Sequence, residues 1–82
     1  MFLAKVHVTL KPGVLDPQGK AVQGALKALG YNSVDGVRVG KYLEVRLEAA
    51  SRDEASVLAG EMCARLLANP VIEQYTFEVV AE

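Results

Sequence analysis

The sequence predicts an α+β fold, a two-layer sandwich of order βαββαβ in which an antiparallel sheet carries two helices on one face. Three observations lead there. Four segments alternate apolar and polar residues with the period of a half-buried strand. Two segments repeat apolar residues with helical spacing, and each follows a residue suited to capping a helix. The order of these segments gives two strand-helix-strand halves with no linker or low-complexity tract between them, so residues 1–82 read as one domain.

The first strand is set by Phe2, Ala4, Val6, Val8 and Leu10 on one face against Lys5, His7, Thr9 and Lys11 on the other. Pro12, Gly13 and Pro17 break the pattern. Asp16 is placed to accept from free amides of the following helix, and Pro17 suits its first position, where a missing amide costs nothing. Ala21, Val22, Ala25, Leu26 and Leu29 form the apolar stripe of this helix, and Gly30 suits a left-handed terminator. Gly13 and Gly19 read as turn glycines, and Gly24 as a close-packing position.

Val37 and Val39 alternate with Arg38, and Leu43, Val45 and Leu47 with Glu44, Arg46 and Glu48, which predicts a hairpin about Gly40-Lys41. Keeping both apolar sets on one side sets Val39 opposite Leu43 and Arg38 opposite Glu44. Ser51-Arg52-Asp53-Glu54 reads as a capping box, with the Ser51 hydroxyl on the Glu54 amide and the Glu54 carboxylate on the Ser51 amide. The stripe Ala55, Leu58, Ala59, Met62, Cys63, Leu66 and Leu67 follows, and Asn69-Pro70 ends the helix. Beyond it, Tyr75, Phe77 and Val79 alternate with Gln74, Thr76 and Glu78 as the last strand. This leaves a polar sheet face carrying His7, Thr9, Glu44, Arg46 and Thr76, turned to water or to another subunit. Strand order stays open, and an arm exchanged between subunits would give the same pattern.

Nine basic residues scattered among ten acidic ones, with no Trp, offer neither a cationic footprint nor a stacking platform for nucleic acid. Cys63 is the only cysteine, so no intrachain disulfide and no thiol pair for zinc exists; a reducing cytoplasm fits. No apolar run approaches the ~20 residues of a bilayer span, and the N-terminus reads as a strand, so a soluble, unprocessed chain is expected. His7 lacks a nucleophile or orienting carboxylate nearby in the pattern, and Cys63 lies on an inner stripe, where a thiol packs as a small hydrophobe. The acidic residues Asp53, Glu54 and Glu61 are explained by the helix start. The expectation is therefore no catalytic, cofactor-binding or metal-binding residue. A homo-oligomeric regulatory domain of the ACT type, binding a small molecule between subunits, is one function open to such a chain.

Residues 6–19, 25–31, 37–41 and 67–73 carry a more specific signal. The first, Val6-His7-Val8-Thr9-Leu10-Lys11-Pro12-Gly13-Val14-Leu15-Asp16-Pro17-Gln18-Gly19, and the last, Leu67-Ala68-Asn69-Pro70-Val71-Ile72-Glu73, each hold a Pro-bearing junction. With them the chain resembles the PurS family, the small subunits of phosphoribosylformylglycinamidine synthase. The resemblance implies a non-catalytic subunit of a glutamine- and ATP-dependent ligase in de novo purine biosynthesis. Its partners would be further copies of itself, as dimer or tetramer, a PurL-type synthetase subunit that uses ATP and magnesium, and a PurQ-type glutaminase subunit. Its work would be to bridge the last two and assist ammonia transfer. Lys11, Pro12, Asp16, Gln18, Asn69, Pro70 and Glu73 are the expected partner contacts, because Pro-fixed junctions lose little freedom on binding.

Overall fold

In a computed structural model describing residues 1–82, three strands form one antiparallel sheet in the order β2-β1-β3: β1 (Phe2–Leu10), β2 (Gly40–Leu47) and β3 (Glu73–Ala81). Two helices complete the fold, α1 (Pro17–Ala28) and α2 (Arg52–Met62), the latter continuing into a π-helical turn, Cys63–Leu67. The α+β class and the antiparallel sheet agree with the expectation. In register, Val6 lies between Leu43 and Phe77, and His7 between Tyr42 and Thr76. The alternation therefore sorts the side chains as expected. Ala4, Val6, Val8, Leu47 and Val79 are buried on the inner face with Ala55, Ala59, Cys63 and Ala68 of the α2 layer. Small residues dominate this core, so α2 lies close to β1 and β3.

The hairpin is where the chain departs from expectation. Gly40 does not reverse the chain; it pairs with Thr9 as the first residue of β2, and a Cβ there would meet the Val8 carbonyl oxygen at 2.3 Å. Residues 37–39 form no strand within the chain, so the sheet has three strands. Residues 34–39 instead run as a strap beside α1, with the Gln23 amide donating to the Asp35 carbonyl at 3.5 Å and Gly19 packed on the Val37 carbonyl.

α1 accordingly packs on the strap and extends off the end of the sheet, while α2 alone forms the covering layer. The molecule measures 51 × 27 × 14 Å, whereas a nine-residue strand spans about 30 Å. Its radius of gyration is 16.2 Å, against about 12 Å for a compact chain of this length. Val22 and Leu29 of the α1 stripe are 41% and 75% exposed. The wide last turn of α2, closed by the Ala68 amide on the Cys63 carbonyl at 3.1 Å, removes Leu66 from the expected core stripe and leaves it 81% exposed. Gly24, expected to permit close packing, has no neighbour within 4 Å.

The helix ends follow their local chemistry. Asp16 caps α1 by accepting from the Gly19 amide at 2.9 Å. At the other end Gly30 (φ 101°) closes a Schellman motif, with the Gly30 amide on the Lys27 carbonyl and the Tyr31 amide on the Leu26 carbonyl, both at 3.0 Å. Ser51 Oγ accepts from the Glu54 amide at 3.2 Å, as the capping box requires. The Glu54 carboxylate, however, reaches the Ala50 amide (3.3 Å) in place of that of Ser51.

Candidate functional site: the two proline junctions

Both Pro-bearing junctions come to the same end of the sheet, where β1 finishes and β2 and β3 begin. The first is a tight turn: the Val14 amide donates to the Lys11 carbonyl at 3.1 Å, with Pro12 and Gly13 between them. Gly13 takes φ 87°, the positive value that the third place of a type II turn requires, with Pro12 in the second. The second junction is built on Asn69. Its carbonyl accepts from Ile72 and Glu73 (3.2 and 2.7 Å), its Oδ1 accepts from the Val71 amide at 3.0 Å, and its own amide donates to Glu73 Oε1 at 2.6 Å. Two contacts tie the junctions together: the Lys11 amide on the Ile72 carbonyl at 2.8 Å and Lys11 Nζ on the Pro70 carbonyl at 2.6 Å.

Asp16 is the buried polar residue of this region. One carboxylate oxygen holds Gly19 at the start of α1, and the other accepts from the Val39 amide at 2.9 Å, where the chain enters β2. The Val39 bond, then the Gly19 bond, hold the carboxyl below the usual carboxylate range against the opposing effect of burial; the nearby Arg38 charge adds to the depression. Arg38 itself closes the junction from outside. Its guanidinium donates to the carbonyls of Leu10 (2.8 Å), Lys11 (3.1 Å) and, at 3.5 Å, Val14.

The structure thus brings Lys11, Asp16, Gln18, Asn69, Pro70 and Glu73 to one end, with Pro12 at the tip of the first turn. Asp16, Gln18 and Glu73 line an open recess of about 360 Å³ together with Lys41, whose Nζ lies 3.8 Å from Glu73 Oε2. Pro12 borders a neighbouring recess beside Arg38 and Gln74. Arg38 and Lys41 were not among the expected site residues. Their place in the short motif Val37-Arg38-Val39-Gly40-Lys41 was the only available signal, because what each touches is far away in sequence. Chemically the cluster is engaged with itself: Lys11, Asp16, Arg38, Asn69 and Glu73 all spend polar atoms on backbone groups. Its outline is fixed by these internal bonds.

The polar sheet face has its own centre in His7, whose ring lies 4.8 Å from that of Tyr42. The Tyr42 hydroxyl donates to Glu44 at 3.0 Å; burial first, and this bond second, push its pKa up. Arg46 pairs with Glu82 at 2.9 Å. Cys63 is fully buried, and burial pushes its thiol up. No group of three or more His, Cys, Asp or Glu residues is disposed to hold a metal ion, and no helix is long and apolar enough to cross a membrane.

Comparison with known proteins places this geometry. The family model described as PurS, phosphoribosylformylglycinamidine (FGAM) synthase, matches residues 3–81. The phosphoribosylformylglycinamidine synthase subunit PurS of Bacillus subtilis is 56% identical over 79 residues, covering 96% of this chain and 93% of the relative. The solved structure of B. subtilis PurS superposes with a TM-score of 0.86 at 54% identity, over 99% of this chain and 100% of that one. That of Methanocaldococcus jannaschii PurS, described as one of the subunits of formylglycinamide ribonucleotide amidotransferase, gives 0.89 at 39% identity, over 100% and 99%. A chain in the structure of PurLQS from Thermotoga maritima gives 0.85 at 26% identity, over 98% and 99%. With sequence and fold matched from one end to the other, and both proline junctions inside the matched span, this chain belongs to the PurS family.

Proposed function

We propose that this chain is the small structural subunit of phosphoribosylformylglycinamidine synthase in purine biosynthesis, holding a PurL-type synthetase and a PurQ-type glutaminase in one assembly. The observation that carries this reading is the family match over residues 3–81, joined to the likeness with a chain of T. maritima PurLQS. In this reading the large subunit uses ATP and magnesium to activate the amide of formylglycinamide ribonucleotide, and the glutaminase releases ammonia. Ammonia that escapes into water is protonated and ceases to be a nucleophile. Keeping the two sites in one sequestered unit therefore protects the reacting species as well as positioning it. The chain works in the cytoplasm, associates with further copies of itself, and contributes shape.

The proline-junction end is the proposed contact surface, through Lys11, Pro12, Asp16, Gln18, Asn69, Pro70 and Glu73. Its internal bonding supports this: a surface already ordered by the Asn69 turn and the Asp16 bridge loses little entropy on docking. The membership displaces the small-molecule regulatory reading. The test is reconstitution. Glutamine-dependent amidation by the large and glutaminase subunits should require the purified chain, and should weaken when Asn69→Ala is supplied in its place. Full activity without the chain would overturn the assignment.

A further inference from the structure

β3 ends the strand order β2-β1-β3 and pairs with β1 alone. The Lys11 amide bonds the Ile72 carbonyl, and the Glu82 amide bonds the Met1 carbonyl. Bonded positions of an antiparallel pair recur at every second residue, so β3 engages β1 through Gln74, Thr76, Glu78 and Val80. The amides and carbonyls of Tyr75, Phe77, Val79 and Ala81 therefore point away from β1, to the free side. Little blunts this edge: β3 holds no proline and no lysine, and its register with β1 runs without a bulge from Glu73 to Ala81.

We propose that an extended segment of a partner subunit, apolar at alternate positions with a lysine or arginine between them, adds to the β3 edge as a fourth strand. This rests on the reading above and gives it a second surface, apart from the proline junctions. Charge selects the occupant. One row of the polar sheet face runs Glu44, Lys5, Glu78 across the three strands, so the next place in the alternation calls for a cation. The ion pairs of the chain, Lys41 with Glu73 and Arg46 with Glu82, leave Glu78 out. β3 itself carries Glu73 and Glu78 and no cation. The β3 of a second copy therefore offers Glu78 no counter-charge in any register, and edge-to-edge pairing of two copies sets acid beside acid.

The inner face sets the remaining side chains. At the margin of the sheet the rings of Tyr75 and Phe77 stack with centroids 6.3 Å apart; Tyr75 is 37% exposed and Phe77 half-buried. α2 carries Gly60 against Phe77, where a Cβ would lie 3.7 Å from the ring. A residue this small leaves the outer flank of both rings open. Apolar side chains opposite Tyr75 and Phe77 would cover that flank and fix the register, while the main-chain bonds to Tyr75, Phe77 and Val79 supply affinity.

The test mixes the full chain with the purified synthetase and glutaminase subunits, singly and together. The backbone amides of Tyr75, Phe77, Val79 and Ala81 should exchange with solvent at least tenfold more slowly in the assembly than in the chain alone. Tyr75→Pro should bind at least tenfold more weakly than Tyr75→Ala, since both lose the ring and only proline loses an outward amide. Glu78→Lys should bind at least tenfold more weakly than wild type, and all three variants should keep the far-ultraviolet circular dichroism spectrum. Strand addition is overturned by amides that exchange as fast in the assembly as alone, by proline and alanine variants that bind alike, or by a Glu78→Lys chain that binds as tightly as wild type. Amides already slowed in the chain alone, with nothing gained on mixing, give the edge to another copy and overturn it too. Amidation restored while these amides exchange freely would refute the edge and leave the subunit role standing. Amides slowed on mixing without amidation would do the reverse.

Discussion

Replacing Gly19 by alanine would set a Cβ 2.3 Å from the Val37 carbonyl oxygen and 2.9 Å from a carboxylate oxygen of Asp16. Ordinary contact begins near 3.4 Å, so the strap must retreat from α1 by about 1 Å, the scale of a core overpacking that costs about 1–3 kcal/mol. The obstruction is backbone, which no rotamer change relieves. The upper part of that range, about 2–3 kcal/mol, therefore applies, and subtracting the ~1 kcal/mol of helix propensity that alanine recovers leaves a net loss of about 1–2 kcal/mol. Gly24 lies on the same helix with no neighbour within 4 Å. Gly24→Ala should therefore stabilise the chain by about 0.5–1 kcal/mol, propensity acting unopposed. Urea unfolding followed by circular dichroism, at one fixed protein concentration, reads both midpoints. A Gly19→Ala chain as stable as wild type would refute the close approach of helix and strap.

Three further outcomes are expected. Ser51→Ala removes the acceptor of the Glu54 amide and should cost about 1 kcal/mol in urea. The Asp16 carboxyl is held below its unfolded value, so the unfolded chain takes up this proton first as pH falls. Its stabilising effect is complete above the ordinary carboxylate range and is lost as pH drops through the lower folded value; Asp16→Asn should flatten that part of the urea midpoint profile. Cys63 is fully buried with its pKa pushed up, so a thiol reagent at pH 7.5 should label it only at the rate of unfolding, and rapid labelling of the native chain would contradict its place in the core.

Sequence reasoning succeeded where structure is local. The faces of β1 and β3, the Asp16 and Ser51 caps and the Gly30 terminator each follow from residues within a few positions of one another. It failed where the partner is distant or the helix period changes. Alternation at 37–39 reports which face a side chain takes and says nothing about whether a neighbouring strand exists in the same chain. Leu66 fits a helical stripe drawn with 3.6 residues per turn; one wide turn rotates it out, and nothing in Cys63-Ala64-Arg65-Leu66-Leu67 announces that turn. At the junction end, Asp16 was legible as a helix cap, but its second bond crosses 23 positions to Val39. Arg38 likewise reaches carbonyls 24 to 28 positions away.

That double duty of Asp16 governs how the outlying half of the molecule behaves. A single carboxylate fastens both the first turn of the helix and the returning chain, so neither can fray without unlatching the other. The projecting arm is a stiff outrigger whose reach is settled before any encounter. What a tethered, floppy segment would surrender in freedom at the moment of docking has here already been given up during folding.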